Sequence, residues 1–141
     1  MSNINYFVLT VADCESDYRN TMVGHVKTVA QELLDNAGAI RVRVGVVVTG
    51  DNPGGVLLVQ GYESIDGLEK ALDVYSKSEA YREFVASGKV QIRLRNLVQA
   101  HPVAFQGNGS DDPKYLVLTR ASSSDPMLDN MSTLAKVFED A

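Results

Sequence analysis

Apolar residues alternate with polar ones in some stretches of the chain, and this period of two predicts strands. Residues 5–12 are rich in β-forming side chains and predict a first strand. Residues 40–49 predict a second, and residues 56–64 a third after the turn-forming GDNPGG segment. Residues 89–100 predict a fourth strand. One face of the second strand is wholly apolar and carries Ile40, Val42, Val44, Val46 and Val48.

A helical period of three to four residues separates the first two strands. The first stripe contains Tyr18, Met22, Val26, Val29 and Leu33. Asp17 or Ser16 is the expected N-cap, and Gly38 provides a left-handed end. Residues 65–87 predict a second helical region, which either continues as one rod or breaks, with a new helix capped by Ser78.

The resulting order, β-α-β-β-α-β, predicts the fold class. The economical arrangement is an α+β, ferredoxin-like antiparallel sheet with its helices on one face, formed by residues 1–106. The second and fourth strands are then the edges of the sheet.

The C-terminal part of the chain resembles its beginning. Residues 107–114 have the composition of a linker, and YLVLTRA at 115–121 follows the pattern of YFVLTVA at 6–12. The residues 115–141 predict one strand and one amphipathic helix, as a half-repeat or as an unrelated β-α unit of similar pattern. Such a unit cannot bury its apolar stripe alone, so we expect it to pack on its own domain or on a dimer partner.

Residues 5–105 resemble the dimeric α+β barrel superfamily. The likeness rests on the element order, the IRVRVGVVV strand and the SKSEAYREF segment at 76–84. It implies that two ferredoxin-like sheets pack through their uncovered faces and that each subunit has a pocket. Members include antibiotic-biosynthesis-type monooxygenases that use no cofactor, haem-degrading enzymes and stress-response proteins.

A homodimer is expected from the residues as well. In the first strand, Phe7, Leu9 and Val11 on one face alternate with Tyr6, Val8 and Thr10 on the other, so the strand is apolar on both faces. Four residues extend the second face: Val47, Leu57, Val59 and Leu97. An exposed apolar sheet face of this size would be covered by a second copy.

Charge and composition narrow the class of partner. The 141 residues carry a net charge of −5, which argues against nucleic acid because phosphate binding needs clustered basic residues. The sequence contains no long apolar run, so neither a membrane span nor a secretion signal is predicted. The single cysteine, Cys14, fits a reducing, cytoplasmic location. Two separated histidines give no metal-binding spacing, and no cofactor is expected.

Four arginines are the first candidate ligand-binding residues. Arg41 and Arg43 lie on one face of the second strand, and Arg93 and Arg95 on one face of the fourth. If the apolar rows meet the helices, all four guanidinium groups point to the uncovered face and could hold an anion bidentately. The competing interpretation is that charged residues protect the sheet edges from aggregation. Tyr6, Tyr62, Tyr75 and Tyr81 could line a pocket, although aromatic residues are more often part of the core; Tyr62 is the one selected as a ligand-binding candidate.

His25 and His101 are the candidate catalytic residues, since histidine can carry protons near neutral pH. His25 lies beside the apolar stripe of the first helix, and His101 ends the fourth strand. Structural roles compete for both. Cys14 is discounted as a nucleophile because its neighbours Asp13 and Glu15 would raise its pKa.

Three functional hypotheses follow. The first is a barrel protein that binds a small anionic or aromatic ligand and acts as a cofactor-independent monooxygenase. The second is a non-enzymatic assembly or stress-response protein. The third is a haem-binding or haem-degrading protein, which the absence of tryptophan disfavours. A closed pocket above about 300 Å³ that contains the arginines and a histidine would favour ligand binding.

Overall fold

The computed structural model describes residues 3–101, 114–125, 130–131, 133–134 and 136–137. The chain divides into two compact units, Met1–Ala100 and His101–Ala141. Within residues 3–101 the elements follow in the order β1 (Tyr6–Cys14), α1 (Arg19–Asn36), β2 (Arg41–Val46), β3 (Val56–Tyr62), α2 (Asp66–Lys77), α3 (Glu79–Ala86) and β4 (Val90–Gln99).

The four strands of residues 3–101 form one antiparallel sheet in the order β2-β3-β1-β4. This confirms the ferredoxin-like prediction, and it confirms that β2 and β4 are the edges. The helices pack on one face only, where the core is built on strand residues such as Val8, Ala12 and Leu58. Burial of these apolar side chains is the main driving force for folding.

The other face of the sheet, which we call the open face, is also largely apolar. It carries Phe7, Leu9, Val11, Leu57, Val59, Leu94 and Val98. No helix of residues 3–101 packs on it. The expectation of a second apolar face is therefore met by these residues. It is wrong for Leu97, which pairs with Val8 and shares the helix face. Val47 lies just beyond the end of β2, where its amide donates to the Gly55 carbonyl.

Helix α1 begins later than its capping residues suggested. Its N-cap is Tyr18, with no side-chain hydrogen bond, because the carboxylate of Asp17 accepts a hydrogen bond from Lys89 at 2.8 Å instead. The predicted caps at Ser16 and Asp17 were wrong. At the other end Gly38 has a φ of 71°, which confirms the left-handed termination.

The structure resolves the open question about the second helical region in favour of a break. Helix α2 ends at Lys77, and Ser78 takes an extended backbone with a ψ of 121°. The Ser78 hydroxyl then accepts a hydrogen bond from the Tyr81 amide at 3.2 Å and caps α3. The change of direction lets Tyr81 and Phe84 approach the sheet beside Tyr75.

A β-bulge changes which side chains of β4 meet the helices. Val11 pairs with Leu94, but the next residue, Ala12, pairs with Ile92, so Arg93 is an extra residue in the ladder. Residues opposite one another share a face. Ile92 therefore faces the helices with Ala12, whereas Leu94 lies on the open face with Val11. A strict period of two along β4 would place Val90, Ile92 and Leu94 on one face, and the bulge removes Leu94 from that row.

The C-terminal unit is described only in part. Residues 114–125 contain no strand in the single chain. The strand at 115–121, expected to pair in its own chain or across a dimer, stays a prediction. Residues 130–131, 133–134 and 136–137 are helical, within the stretch where an amphipathic helix was predicted. The predicted linker at 107–114 lies outside the described residues except for Lys114. Among the described residues, no helix is both long and apolar enough to cross a membrane.

Candidate ligand-binding site

A narrow cleft lies between the helix face of the sheet and the helices. Its walls are Thr10, Ala12, Met22, Val26, Val29, Val56, Leu58, Tyr75, Tyr81, Phe84, Ile92 and Arg95. The free volume of the cleft is about 30 Å³, enough for roughly two water molecules.

Aromatic residues from the two short helices form one wall of the cleft. Tyr75 of α2 stacks on Tyr81 of α3, with ring centroids 4.9 Å apart. Tyr81 in turn meets Phe84 edge to face, also at 4.9 Å. Offset stacked and edge-to-face pairs are the favoured aromatic geometries. The break at Ser78 makes this wall possible, since it brings one turn of α3 alongside the end of α2.

Arg95 supplies the positive charge at the mouth of the cleft. It pairs with Thr10 across the ladder, and its Nε donates a long hydrogen bond of 3.3 Å to the Thr10 hydroxyl. Its guanidinium carbon lies 4.9 Å from the centroid of the Tyr75 ring, within the range of a cation–π contact. Arg95 itself remains exposed.

A buried polar network stands behind the aromatic wall. The amide of Gln60, which is fully buried, donates to the Tyr75 hydroxyl at 2.5 Å and accepts from the Tyr62 hydroxyl at 2.6 Å. Burial raises the pKa of the Tyr62 phenol well above its usual value. Burial also raises the pKa of Tyr75, although the nearby Arg95 charge opposes that shift. Both phenols are therefore held in the neutral form.

The structure separates the four candidate arginines. Arg41 and Arg43 pair with Gly61 and Val59, so they lie on the open face as predicted. Arg93 forms an ion pair with Asp13. The prediction that all four share the open face is wrong for Arg95, because the bulge turns it towards the helices.

The two histidines and Tyr62 are not brought together at the cleft. His25 of α1 contacts Glu83 of α3, with 3.5 Å between Nε2 and the carboxylate oxygen. His101 lies just beyond β4 and is exposed. Tyr62 is a core residue engaged with Gln60. None of the three is among the described residues that line the cleft.

A second, more open groove surrounds Cys14 at the end of β1, with a volume of about 340 Å³. Its charges are largely paired: Lys89 lies 2.8 Å from an Asp17 carboxylate oxygen and 3.7 Å from one of Glu15. Burial is the main cause that raises the Cys14 pKa, so the thiol is protonated near neutral pH and is a poor nucleophile. Among the described residues, no group of histidine, cysteine and acidic side chains could hold a metal ion.

The proposed criterion for an anion pocket is not satisfied by the closed cavity. Its volume is about a tenth of the roughly 300 Å³ typical of ligand pockets, and Arg95 is the one candidate arginine among the described residues that line it. Sequence reasoning missed Thr10 and Phe84 as site residues, whereas Tyr75 and Tyr81 were among the four tyrosines that could line a pocket. Thr10 and Phe84 were interpreted as strand and core positions, because a period of two or 3.6 carries no signal that distinguishes a cleft wall from a core.

These features define a ferredoxin-like α+β domain with an apolar cleft between its sheet and its helices. The chain belongs to the family described as Domain of unknown function (DUF6854), whose model matches residues 4–100. No curated protein sequence matches it.

Several solved structures share the fold. A conserved protein from Methanosarcina mazei Go1 is 14% identical with a TM-score of 0.54, and the match covers 71% of this chain and 96% of that one. SnoaB, a cofactor-independent oxygenase from Streptomyces nogalater, is 9% identical with a TM-score of 0.54, covering 72% and 98%. A dimeric ferredoxin-like protein from an uncultured marine organism is 15% identical with a TM-score of 0.53, covering 71% and 100%. At these identities the likeness shows the fold alone.

Proposed function

We propose that the protein is a homodimer that binds a small, largely apolar ligand in the cleft between its sheet and its helices. The observation that carries this proposal is the cleft itself, in which apolar and aromatic side chains surround a short polar edge made by Thr10 and Arg95. Ligand sites in proteins commonly combine an apolar lining with a few placed polar groups.

The open face supports the dimer. Its seven apolar side chains lie on three adjacent strands, and a second copy of the same face would cover them. The solved structure of a dimeric ferredoxin-like protein with the same fold agrees with this assembly. Arg41 and Arg43, at the β2 edge of this face, would then lie at the rim of the dimer interface.

The geometry favours ligand binding over a specific reaction. The fold is shared with a cofactor-independent oxygenase. However, neither His25 nor His101 is among the described lining residues, so the cleft contains no evident general base. Haem binding is disfavoured by the size of the cleft. A purely assembling protein remains the alternative if no ligand binds.

A pair of isoleucines tests the ligand site. Ile92 lines the mouth of the cleft and Ile40 does not, and both side chains are 37% exposed. We expect Ile92→Trp to fill the mouth and abolish binding of a neutral aromatic probe such as benzyl alcohol, measured by NMR shifts. Ile40→Trp should bind the probe like the original protein. Absence of probe binding to the original protein, or equal binding by both variants, would contradict the site.

The dimer is tested through the open face. Val59 lies on this face and Val48 is a highly exposed loop residue. Light scattering at micromolar concentration should give the mass of two chains for the original protein and for Val48→Lys. Val59→Lys should give the mass of one chain, because a buried unpaired ammonium group would destabilise the interface. A monomer mass for the original protein would refute the dimer.

A further inference from the structure

We propose that the ligand of the cleft is an aromatic carboxylate, whose carboxylate group binds Arg95 while its ring packs against Tyr81 and Ile92 at the mouth. This inference rests on the proposed function of the cleft and goes beyond it by naming the chemical class of the ligand and the residue that selects it.

The hydrogen-bonding pattern of Arg95 leaves its binding end available. The Nε donates to Thr10, and the guanidinium plane is held near the Tyr75 ring. The hydrogen bond to Thr10 uses Nε and not the two terminal nitrogens. Those nitrogens present parallel N–H donors, which match the two oxygens of a carboxylate. The arginine is therefore positioned before a ligand arrives, and less side-chain entropy is lost on binding.

The charge of Arg95 is not neutralised by the described residues. Three other cations of the domain have acidic partners: Lys77 pairs with Asp73, Lys89 with Asp17, and Arg93 with Asp13. None of the described carboxylates forms an ion pair with Arg95. In a protein with a net charge of −5, a cation beside an apolar cleft that has no acidic partner within the described part of the chain favours an anionic ligand.

The walls next to Arg95 suit a flat, apolar ring. Tyr81 and Phe84 stand edge to face, and Ile92 closes the opposite side from β4. A ring at the mouth could stack on Tyr81 or meet it edge to face. Aliphatic residues from α1 line the deeper part, where they offer no hydrogen-bond donors or acceptors to the ligand. A ligand with its charge at one end therefore fits with that charge towards Arg95.

The volume of the cleft limits the ligand to a small one. The cleft, at about 30 Å³, is too small to enclose an aromatic ring. The ring would therefore occupy the mouth, directly beside Arg95, and not the interior. Ile92 and Leu97, which flank Arg95 on the helix face of β4, are partly exposed and would be covered by such a ligand.

The test compares two probes that differ mainly in charge, benzoate and benzyl alcohol, with the full-length protein. We expect benzoate to bind more tightly than benzyl alcohol, as measured by NMR titration at neutral pH. Arg95→Met should weaken benzoate binding roughly tenfold, because it removes one hydrogen-bonded contact to a charged group. The same variant should leave the affinity for benzyl alcohol unchanged. Arg95→Lys keeps the charge but loses the paired donors, and should weaken benzoate binding by less than the methionine variant.

Arg93→Met provides the matched control, because it removes the same charge from the same strand at a residue already paired with Asp13. It should leave both affinities unchanged. If benzyl alcohol binds but benzoate binds no more tightly, or if Arg93→Met weakens benzoate as much as Arg95→Met, the carboxylate proposal fails and the ligand site stands. If neither probe binds the original protein, both proposals fail. Should Arg95→Met not fold, the Arg95→Lys variant decides between the same outcomes.

Discussion

The Gln60 side chain, although fully buried, donates a hydrogen bond of 2.5 Å to the hydroxyl of Tyr75. This contact joins the middle of the sheet to the aromatic wall of the cleft, because the Tyr75 ring also contacts Tyr81 and Arg95. A polar residue at the centre of an apolar core is tolerated when its donors and acceptors are satisfied. Gln60 meets this condition through Tyr75 and Tyr62 together.

Removal of the Gln60 amide should strongly destabilise the fold. Gln60→Leu leaves the hydroxyls of Tyr62 and Tyr75 buried without their partner, and we expect the free energy of unfolding to fall by about 3 kcal/mol. Urea denaturation followed by circular dichroism measures it. Gln31→Leu, the same change at an exposed residue of α1, should alter stability by less than about 0.5 kcal/mol. Equal effects of the two substitutions would show that the network contributes nothing.

The buried phenols predict a loss of stability at alkaline pH. Burial raises the pKa of Tyr62 above its ordinary 10.0, so above about pH 10 the unfolded chain releases this proton while the folded chain keeps it. The free energy of unfolding should then fall by about 1.4 kcal/mol per pH unit for this one residue. Below about pH 10 both states are protonated, and the contribution does not change with pH.

The alkaline effect is checked by urea unfolding at neutral pH and at about pH 11. Tyr62→Phe should show a shallower decline than the original protein, because it has one fewer phenol that ionises only on unfolding. Tyr115→Phe, which changes an exposed tyrosine, is the control and should decline like the original protein. Identical slopes for Tyr62→Phe and the original protein would rule out the burial of this phenol.

Two helical glycines should respond in opposite directions to alanine. A Cβ on Gly67 would lie 2.2 Å from Cδ1 of the Tyr62 ring, so α2 or the ring must move. We expect Gly67→Ala to lower the melting temperature, with a cost of about 1–3 kcal/mol. A Cβ on Gly24, in the interior of α1, meets no atom within 4 Å. Gly24→Ala should raise stability by about 0.5–1 kcal/mol. Destabilisation by both would mean that the close packing on Tyr62 is not the cause.

Deletion of residues 107–141 tests the predicted role of the C-terminal unit. The apolar side chains of Tyr115, Leu116, Val117 and Leu118 are exposed in the single chain. We keep the prediction that this segment packs on the domain or on a dimer partner. The truncated chain should therefore have a lower melting temperature or a weaker dimer, measured by calorimetry and light scattering. Unchanged values in both measurements would refute the prediction.

The sequence predicted the fold well because its signals are local. The alternation along residues 40–49 placed Val42 and Val44 on the helix face, and the stripe of α1 placed Met22, Val26 and Leu33 in the core. Both patterns depend only on the 2.0 and 3.6 residue periods of strand and helix. The Ser78 break was one of two alternatives, and local capping could not decide between them without the packing of Tyr81 and Phe84.

The candidate site could not be predicted in the same way. Arg93 and Arg95 have identical spacing to Arg41 and Arg43, yet they differ in environment. The cause is the extra residue in the β1–β4 ladder, which reverses the alternation within one strand. The bulge depends on the pairing of two strands that lie about 80 residues apart in the chain, so the sequence of β4 alone does not predict it.

For this protein, the sequence alone determined which segments are strands or helices and that both faces of the sheet are apolar. Those properties depend on each residue's conformational preference and on the spacing of apolar residues along the chain. The tertiary structure alone decided that Arg95 meets Tyr75 at the mouth of a cleft and that Gln60 is satisfied inside the core. These contacts join residues from separate elements, and their existence depends on strand register and helix packing, which form only when the whole domain folds.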